Sequence, residues 1–171
     1  SESDLLIKEA LAFEEKGAFA DALIKAKQAY ELDTNKIDNK LIYARICIKN
    51  KSLEKAHELL DNPGRELSLS QDYKDLVSAL TLAEQAADSP EINELEQTYL
   101  QNPNNSETAI AYAAALSQSG KRAKALEILF ALLKQDLSNE PVKKTFLDLL
   151  NTMQGDPLQK EYRRKLYTLM Y

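Results

Sequence analysis

Any chemistry in this chain would have to come from very few side chains. It has one cysteine, Cys47, and one histidine, His57. A single cysteine can form neither an internal disulfide nor a CxxC redox or zinc motif. A lone histidine without a cysteine or carboxylate at ligand spacing supplies no metal site, and no Ser-His-Asp or Cys-His arrangement can be assembled around it. Cys47 falls on the side of a helix that packs between helices and reads as a buried, inert thiol. A redox sensor needs an exposed, electropositive setting instead. Glu14-Glu15 and the acidic group Glu84, Asp88, Glu91, Glu94 and Glu96 read as solvated helix faces, because no Trp or Gly shapes a cleft around them. No catalytic residue, cofactor or metal ligand is assigned, and the chain is not expected to be an enzyme.

The elements that carry these residues are helices. Only 4 Gly and 5 Pro occur in 171 residues, while good helix formers dominate. Hydrophobic residues at 44% are enough for a core. No run approaches the roughly 20 apolar residues of a membrane span, and the polar start Ser1-Glu2-Ser3-Asp4 is no signal peptide. A cytoplasmic protein without membrane contact is expected. The net charge of −5 is uneven: residues 71–107 hold 1 basic and 8 acidic side chains, whereas residues 108–171 hold 10 basic and 6 acidic ones. Such a distribution makes no continuous phosphate-binding stripe, so nucleic acid is not an expected partner.

An internal period organises the helices. Lys16-Gly17-Ala18-Phe19-Ala20-Asp21-Ala22-Leu23 is similar to Asn50-Lys51-Ser52-Leu53-Glu54-Lys55-Ala56-His57, and Ala22 and Ala56 are 34 residues apart, as are Ala10 and Ala44. A third copy runs Ser119-Gly120-Lys121-Arg122-Ala123-Lys124-Ala125-Leu126, with Ala113 twelve residues before Ala125. Two antiparallel helices approach closely only where both present small side chains, and the turn between them needs a residue tolerant of positive φ, here Gly17 and Gly120. Phe19 and Leu53 plug the gap beside that turn; the last copy has Arg122 there.

A 34-residue helix–turn–helix period is the tetratricopeptide length. The reading is therefore all-α: about four tetratricopeptide-type helical hairpins over 1–139 (about 3–36, 37–70, 72–105 and 106–139) and a two-helix C-terminal cap over 140–171, in the same domain. The third hairpin is degenerate. It keeps Ala79 at its crossing and opens its second helix at Ser89-Pro90-Glu91, a cap followed by Pro. Asn62-Pro63-Gly64 ends the second hairpin early, leaving 62–70 as a longer loop. In the cap, Val142, Phe146, Leu149, Leu150 and Met153 share one face, and so do Leu158, Tyr162, Leu166 and Leu169. The cap covers the exposed apolar end of the array.

Positions 2, 5, 6 and 9 of each first helix face the concave side of such an array. Among them Ile7, Leu11, Leu41, Leu76, Leu80 and Ile110 form an apolar stripe, and Lys8 and Arg45 are the only cations. This is no carboxylate clamp. Ile7, Leu11, Leu41, Arg45, Leu76, Leu80 and Ile110 are the expected partner-binding residues. Either they bind apolar segments, or the C-terminal helices fold over them; an exposed stripe of this size demands a partner. Lys160, Arg163, Arg164 and Lys165 crowd the other faces of the last helix and form a basic tail surface.

The tail carries a more specific likeness. Lys144-Thr145-Phe146-Leu147-Asp148-Leu149-Leu150, Gly155-Asp156-Pro157-Leu158 and the run from Glu161 through Tyr171 resemble the end of the bacterial YbbN-type thioredoxin-like proteins, the chaperedoxins. The stretch Leu126 to Leu137 resembles that family's last repeat. The resemblance implies the C-terminal domain of a cytoplasmic co-chaperone that holds non-native client proteins and works with the chaperonin and Hsp70 systems. It also implies a parent whose thioredoxin-like domain, absent here, would carry any redox chemistry and would itself be a partner of this domain. The alternative is a plain tetratricopeptide scaffold that recognises one folded partner without holdase activity.

Overall fold

Alanines at helical spacing and left-handed turn residues at repeat spacing produce the architecture seen in the computed structural model, which describes residues Ser1–Tyr171. It contains helices and no strand. They are α1 (Glu2–Glu15), α2 (Phe19–Leu32), α3 (Ile37–Lys49), α4 (Leu53–Leu60), α5 (Gly64–Ser68), α6 (Gln71–Ala87), α7 (Pro90–Gln101), α8 (Ser106–Gln118), α9 (Arg122–Gln135), α10 (Glu140–Asn151) and α11 (Pro157–Met170). The chain packs as two units, Ser1–Glu84 and Gln85–Tyr171, divided inside α6.

Three hairpin turns share one design. At Gly17, Lys51 and Gly120 the backbone enters the left-handed region, with φ of 74°, 58° and 82°. Each of these residues donates its N–H to a carbonyl three positions back, and the next residue donates to a carbonyl five positions back. The longer bonds are Ala18 to Phe13 at 3.0 Å, Ser52 to Cys47 at 2.8 Å and Lys121 to Leu116 at 2.8 Å. This is the Schellman closure, which satisfies orphan carbonyls at a helix end and reverses the chain at once. Glycine suits the position; Lys51 occupies it at a steric cost.

In the first unit α1 packs on α2, α2 on α3 and α3 on α4. Ala10, Ala22, Ala26, Ala29, Ala44 and Ala56 are fully buried, so these crossings are made of backbone and methyl groups. Tyr30 and Tyr43 stack at 5.6 Å between α2 and α3. Residues 62–70 are not the continuous loop expected. Asn62 and Gly64 both take positive φ, and the chain then completes the short helix α5, whose Leu67 is buried. α4 ends at Leu60 with Asp61 at its C-cap, and Pro63 holds the N-cap position of α5 two residues later. Ala79 is exposed and forms no crossing; on α6 it is Leu80, one residue on, that is buried.

The second unit has larger side chains. Here α8 packs on α7, α9 and α10, while α11 lies against α9 and α10. Side chains of Ser89, Asn105, Asn139 and Asp156 cap α7, α8, α10 and α11 by accepting from first-turn N–H groups, and each such cap contributes about 1 kcal/mol. Ala113 on α8 and Ala125 on α9, helices that pack together, are buried at 1% and 0%. Beside them Leu126, Leu129, Leu133, Val142, Phe146 and Leu150 are fully enclosed. Phe130, Phe146 and Tyr162 bring α9, α10 and α11 together, with ring centroids 5.6–5.9 Å apart. Edge-on aromatic pairs of this kind contribute about 0.5–1.5 kcal/mol beyond their burial.

Candidate interaction surfaces

In the first unit, Leu41, Ile42 and Arg45 of α3 and Asp72, Asp75 and Leu76 of α6 face one another across an open cleft of about 280 Å³, with Asp38 at its edge. Three of the residues expected to bind partners, Leu41, Arg45 and Leu76, are thus neighbours. Ile7 is half-buried on α1 and Leu11 is 37% exposed. Leu80 is buried within the core, and Ile110 belongs to the second unit, where it packs against that unit's core.

Arg45 does not point into this cleft as an unopposed cation. Its Nε and Nη2 donate to the two carboxylate oxygens of Glu14 at 2.8 and 2.7 Å, and Lys49 reaches the same carboxylate at 3.0 Å. Glu14 is therefore no solvated residue: its side chain is 9% exposed. The Arg45 hydrogen bonds hold its carboxyl below the ordinary range, outweighing burial, which acts in the opposite direction. The same contact raises Arg45 further above its already high value. This bidentate pair ties α1 to α3. With Arg45 neutralised, Asp38, Asp72 and Asp75 leave the rim acidic over a Leu/Ile floor.

His57 has a carboxylate neighbour after all, Glu84, with Nδ1 3.3 Å from Oε1; both side chains are substantially exposed. The other acidic residues of 84–96 are partly engaged too. Asp88 pairs with Lys121 at 3.0 Å, and Glu96 accepts from the Tyr112 hydroxyl at 2.8 Å with Lys124 at 3.9 Å. Burial and Glu96 together push the Tyr112 phenol up. Cys47 is fully buried. No three His, Cys, Asp or Glu side chains are grouped to hold a metal ion, and no helix is long and apolar enough to cross a membrane.

The basic tail divides by contact. Lys160 and Arg163 are exposed, and Arg163 donates to Asn151 Oδ1 at 3.2 Å. Lys165 pairs with Glu161 at 3.1 Å and sits 4.7 Å over the Tyr162 ring. Arg164 and Lys165 border a second cleft, of about 650 Å³, between α9 and α11. Phe130, Ala131, Tyr162 and Leu169 form its apolar wall, Lys134 stands on the α9 side, and Glu127 and Thr168 complete it. Sequence reading missed this cleft. Its signal was a second stripe on α9, Glu127, Phe130, Ala131 and Lys134 at three- and four-residue spacing, beside the core stripe Leu126, Leu129 and Leu133.

Residues 85–171 match the family described as Tetratricopeptide repeat. An uncharacterized protein of Haemophilus influenzae is 39% identical over 174 residues, covering 99% of this chain and 79% of the relative. The crystal structure of a domain of unknown function from Vibrio parahaemolyticus superposes with a TM-score of 0.80 at 36% identity, over 98% of this chain and 99% of that one. With the Schellman-closed hairpins and alanine crossings described above, the chain belongs to the tetratricopeptide-repeat family, whose members serve as protein-interaction scaffolds.

Proposed function

We propose that this domain holds non-native segments of client proteins as the C-terminal part of a YbbN-type thioredoxin-like co-chaperone in the cytoplasm, and passes them to chaperonin and Hsp70 partners. The observation that carries the reading is the pairing, within each unit, of an open apolar floor with a charged rim. Leu41, Ile42 and Leu76 lie under three aspartates, and Phe130, Ala131, Tyr162 and Leu169 lie beside Lys134, Arg164 and Lys165. An apolar floor attracts without regard to direction and tolerates many sequences. The rim keeps the domain soluble and sorts segments by charge. The likeness of the tail from Lys144 to Tyr171 to the chaperedoxins supports the specific assignment, and the thioredoxin-like domain of the parent would then be an additional neighbour.

The test is an aggregation assay on a chemically denatured protein with this domain alone. Light scattering is expected to fall as the domain approaches equimolar amounts. Unchanged scattering in molar excess would replace the holdase reading with a scaffold for one folded partner.

A further inference from the structure

We infer that the α9–α11 cleft of the second unit is a docking site for acidic, apolar protein segments: chains in which Leu or Phe side chains are flanked by Asp or Glu. The inference deepens the client-binding reading above by assigning one cleft to one chemical class.

The argument begins with what the cleft leaves unsatisfied. Phe130 and Tyr162 pack edge-on at 5.6 Å, and together with Ala131 and Leu169 they form an apolar wall that remains open to solvent. Burial raises the Tyr162 phenol above its ordinary value. A volume of about 650 Å³ accommodates large side chains, not merely a water or an ion.

Charge then selects the occupant. Lys134, Arg164 and Lys165 border this wall, against Glu127 alone among the lining residues. Lys134 lies 5.7 Å over the Phe130 ring and Lys165 lies 4.7 Å over Tyr162, so two cations are held at the edge of the apolar surface by the rings themselves. Glu161 answers Lys165 at 3.1 Å. Arg164 is exposed and lines the cleft, and a guanidinium is the side-chain group best suited to receive a carboxylate in two hydrogen bonds. A cationic segment would meet Lys134 and Arg164 here, Lys165 being answered by Glu161, and an uncharged one would leave the rim unused. An anionic segment satisfies both wall and rim.

The experiment uses the full chain and a short fluorescein-labelled peptide carrying Leu and Phe among Glu residues, followed by fluorescence anisotropy. A second peptide has Lys in place of every Glu. The acidic peptide is expected to bind and to weaken steeply with added salt. Lys134→Glu with Arg164→Glu should reduce its affinity about tenfold or more, an effect of the size expected for reversing interfacial charges. Ala131→Trp, at an exposed position on the wall, should block binding without changing charge. Helicity and melting temperature of both variants should match the parent, since the three substituted positions are exposed. Lys16→Glu with Lys74→Glu, at exposed positions of the other unit outside both clefts, should leave the acidic peptide's affinity unchanged. Undiminished binding of the acidic peptide to folded Lys134→Glu/Arg164→Glu or Ala131→Trp variants would overturn the assignment, and so would Lys-peptide binding that Ala131→Trp abolishes, since the acidic cleft of the first unit can itself take the Lys peptide. Aggregation suppression is scored separately: binding of the acidic peptide without suppression removes the holdase reading and keeps the cleft, whereas suppression without binding of the acidic peptide removes the cleft and keeps the holdase.

Discussion

Alanine makes up a larger share of the buried residues in the first unit than in the second. Between Ser1 and Glu84 six alanines are fully buried beside Leu23, Tyr43, Ile46 and Leu53, while Phe13 and Phe19 are only half-buried. Between Gln85 and Tyr171 leucines and Phe146 fill a core to which the last two helices contribute Val142, Leu149, Leu150 and Leu166, and the turn between them Met153. Alanine crossings bring backbones close and leave no room for additional atoms. A leucine–phenylalanine core leaves no atoms to spare. Alanine crossings should therefore fail when volume is added, and the leucine–phenylalanine core of the second unit when it is removed. Their clefts also differ in sign, acidic in the first and cationic in the second.

The largest effects test that opposition. Phe146→Ala should destabilise the second unit by about 3–5 kcal/mol, because a fully buried ring leaves a cavity that three packed helices cannot close. Phe19→Ala, at a half-buried site where Lys49 lies 5.9 Å over the ring, should cost much less. In the first unit the damaging change is an added side chain: Ala56→Leu should cost about 1–3 kcal/mol by overpacking. Chemical denaturation of the three variants decides it. If Phe19→Ala matches Phe146→Ala, the contrast between the units is wrong.

A smaller effect depends on acid. Glu14 has its carboxyl lowered from the ordinary 4.5 by Arg45. A group depressed in the folded state stabilises fully above its unfolded value, and the contribution is lost as pH falls through the lowered folded value. Glu14→Gln should thus cost about 1–2 kcal/mol at neutral pH, at the modest end for a charged hydrogen bond because Arg45 is 41% exposed. At pH values below the lowered value the difference from the parent should vanish. Melting curves across the acid range check this; a constant difference down to the lowest pH would show that the carboxylate's charge plays no part.

The hairpin turns offer a gain instead of a loss. Lys51 holds a left-handed φ of 58° where the turn in the second unit has Gly120. Relieving an L-residue of that conformation is favourable by about 1–2 kcal/mol, and glycine's freedom in the unfolded chain returns about 0.5–1 kcal/mol of it. Lys51→Gly should stabilise by about 0.5–1 kcal/mol and Gly120→Lys should destabilise by a similar amount, both read from denaturation midpoints. Stabilisation by neither glycine would mean that the turn geometry is set by packing alone.

These turns and crossings were the legible part of the chain. Ala22, Ala56 and Ala125 are fully buried as their spacing requires, and Gly17 and Gly120 take the positive φ assigned to them. Small size and backbone freedom are properties of a residue type, so the period carries them openly. Contacts between helices were less legible. Glu14 sits beside Glu15 at a helix end and looks solvated locally; its partners are 31 and 35 residues further on, and no local pattern announces them. Ala79 had the right type and stands exposed, because the frame loses its alanine period in the degenerate hairpin. The α9–α11 cleft depends on how a terminal helix settles on another, which one-dimensional spacing specifies only as two faces.

The smallest stability effect carries the sharpest functional test. Lys160, Arg163, Arg164 and Lys165 lie on α11, whose Leu166 is buried while Leu158, Tyr162 and Leu169 pack against the core of the second unit. Arg163 contributes one 3.2 Å hydrogen bond to Asn151, and Arg164 borders the open cleft. Exposed charges of this kind are worth about 0–1 kcal/mol each to stability. Arg163→Glu with Arg164→Glu should accordingly leave the melting temperature within about 2–4 °C of the parent. Leu166→Asp should instead place a charge in the core and detach the tail. If the basic surface meets an acidic chaperonin patch, the double charge reversal should abolish chaperonin co-purification while the fold persists. Should it unfold the domain instead, the arginines are structural; should it change neither property, the partner docks elsewhere, and the acidic cleft of Asp38, Asp72 and Asp75 becomes the next surface to reverse.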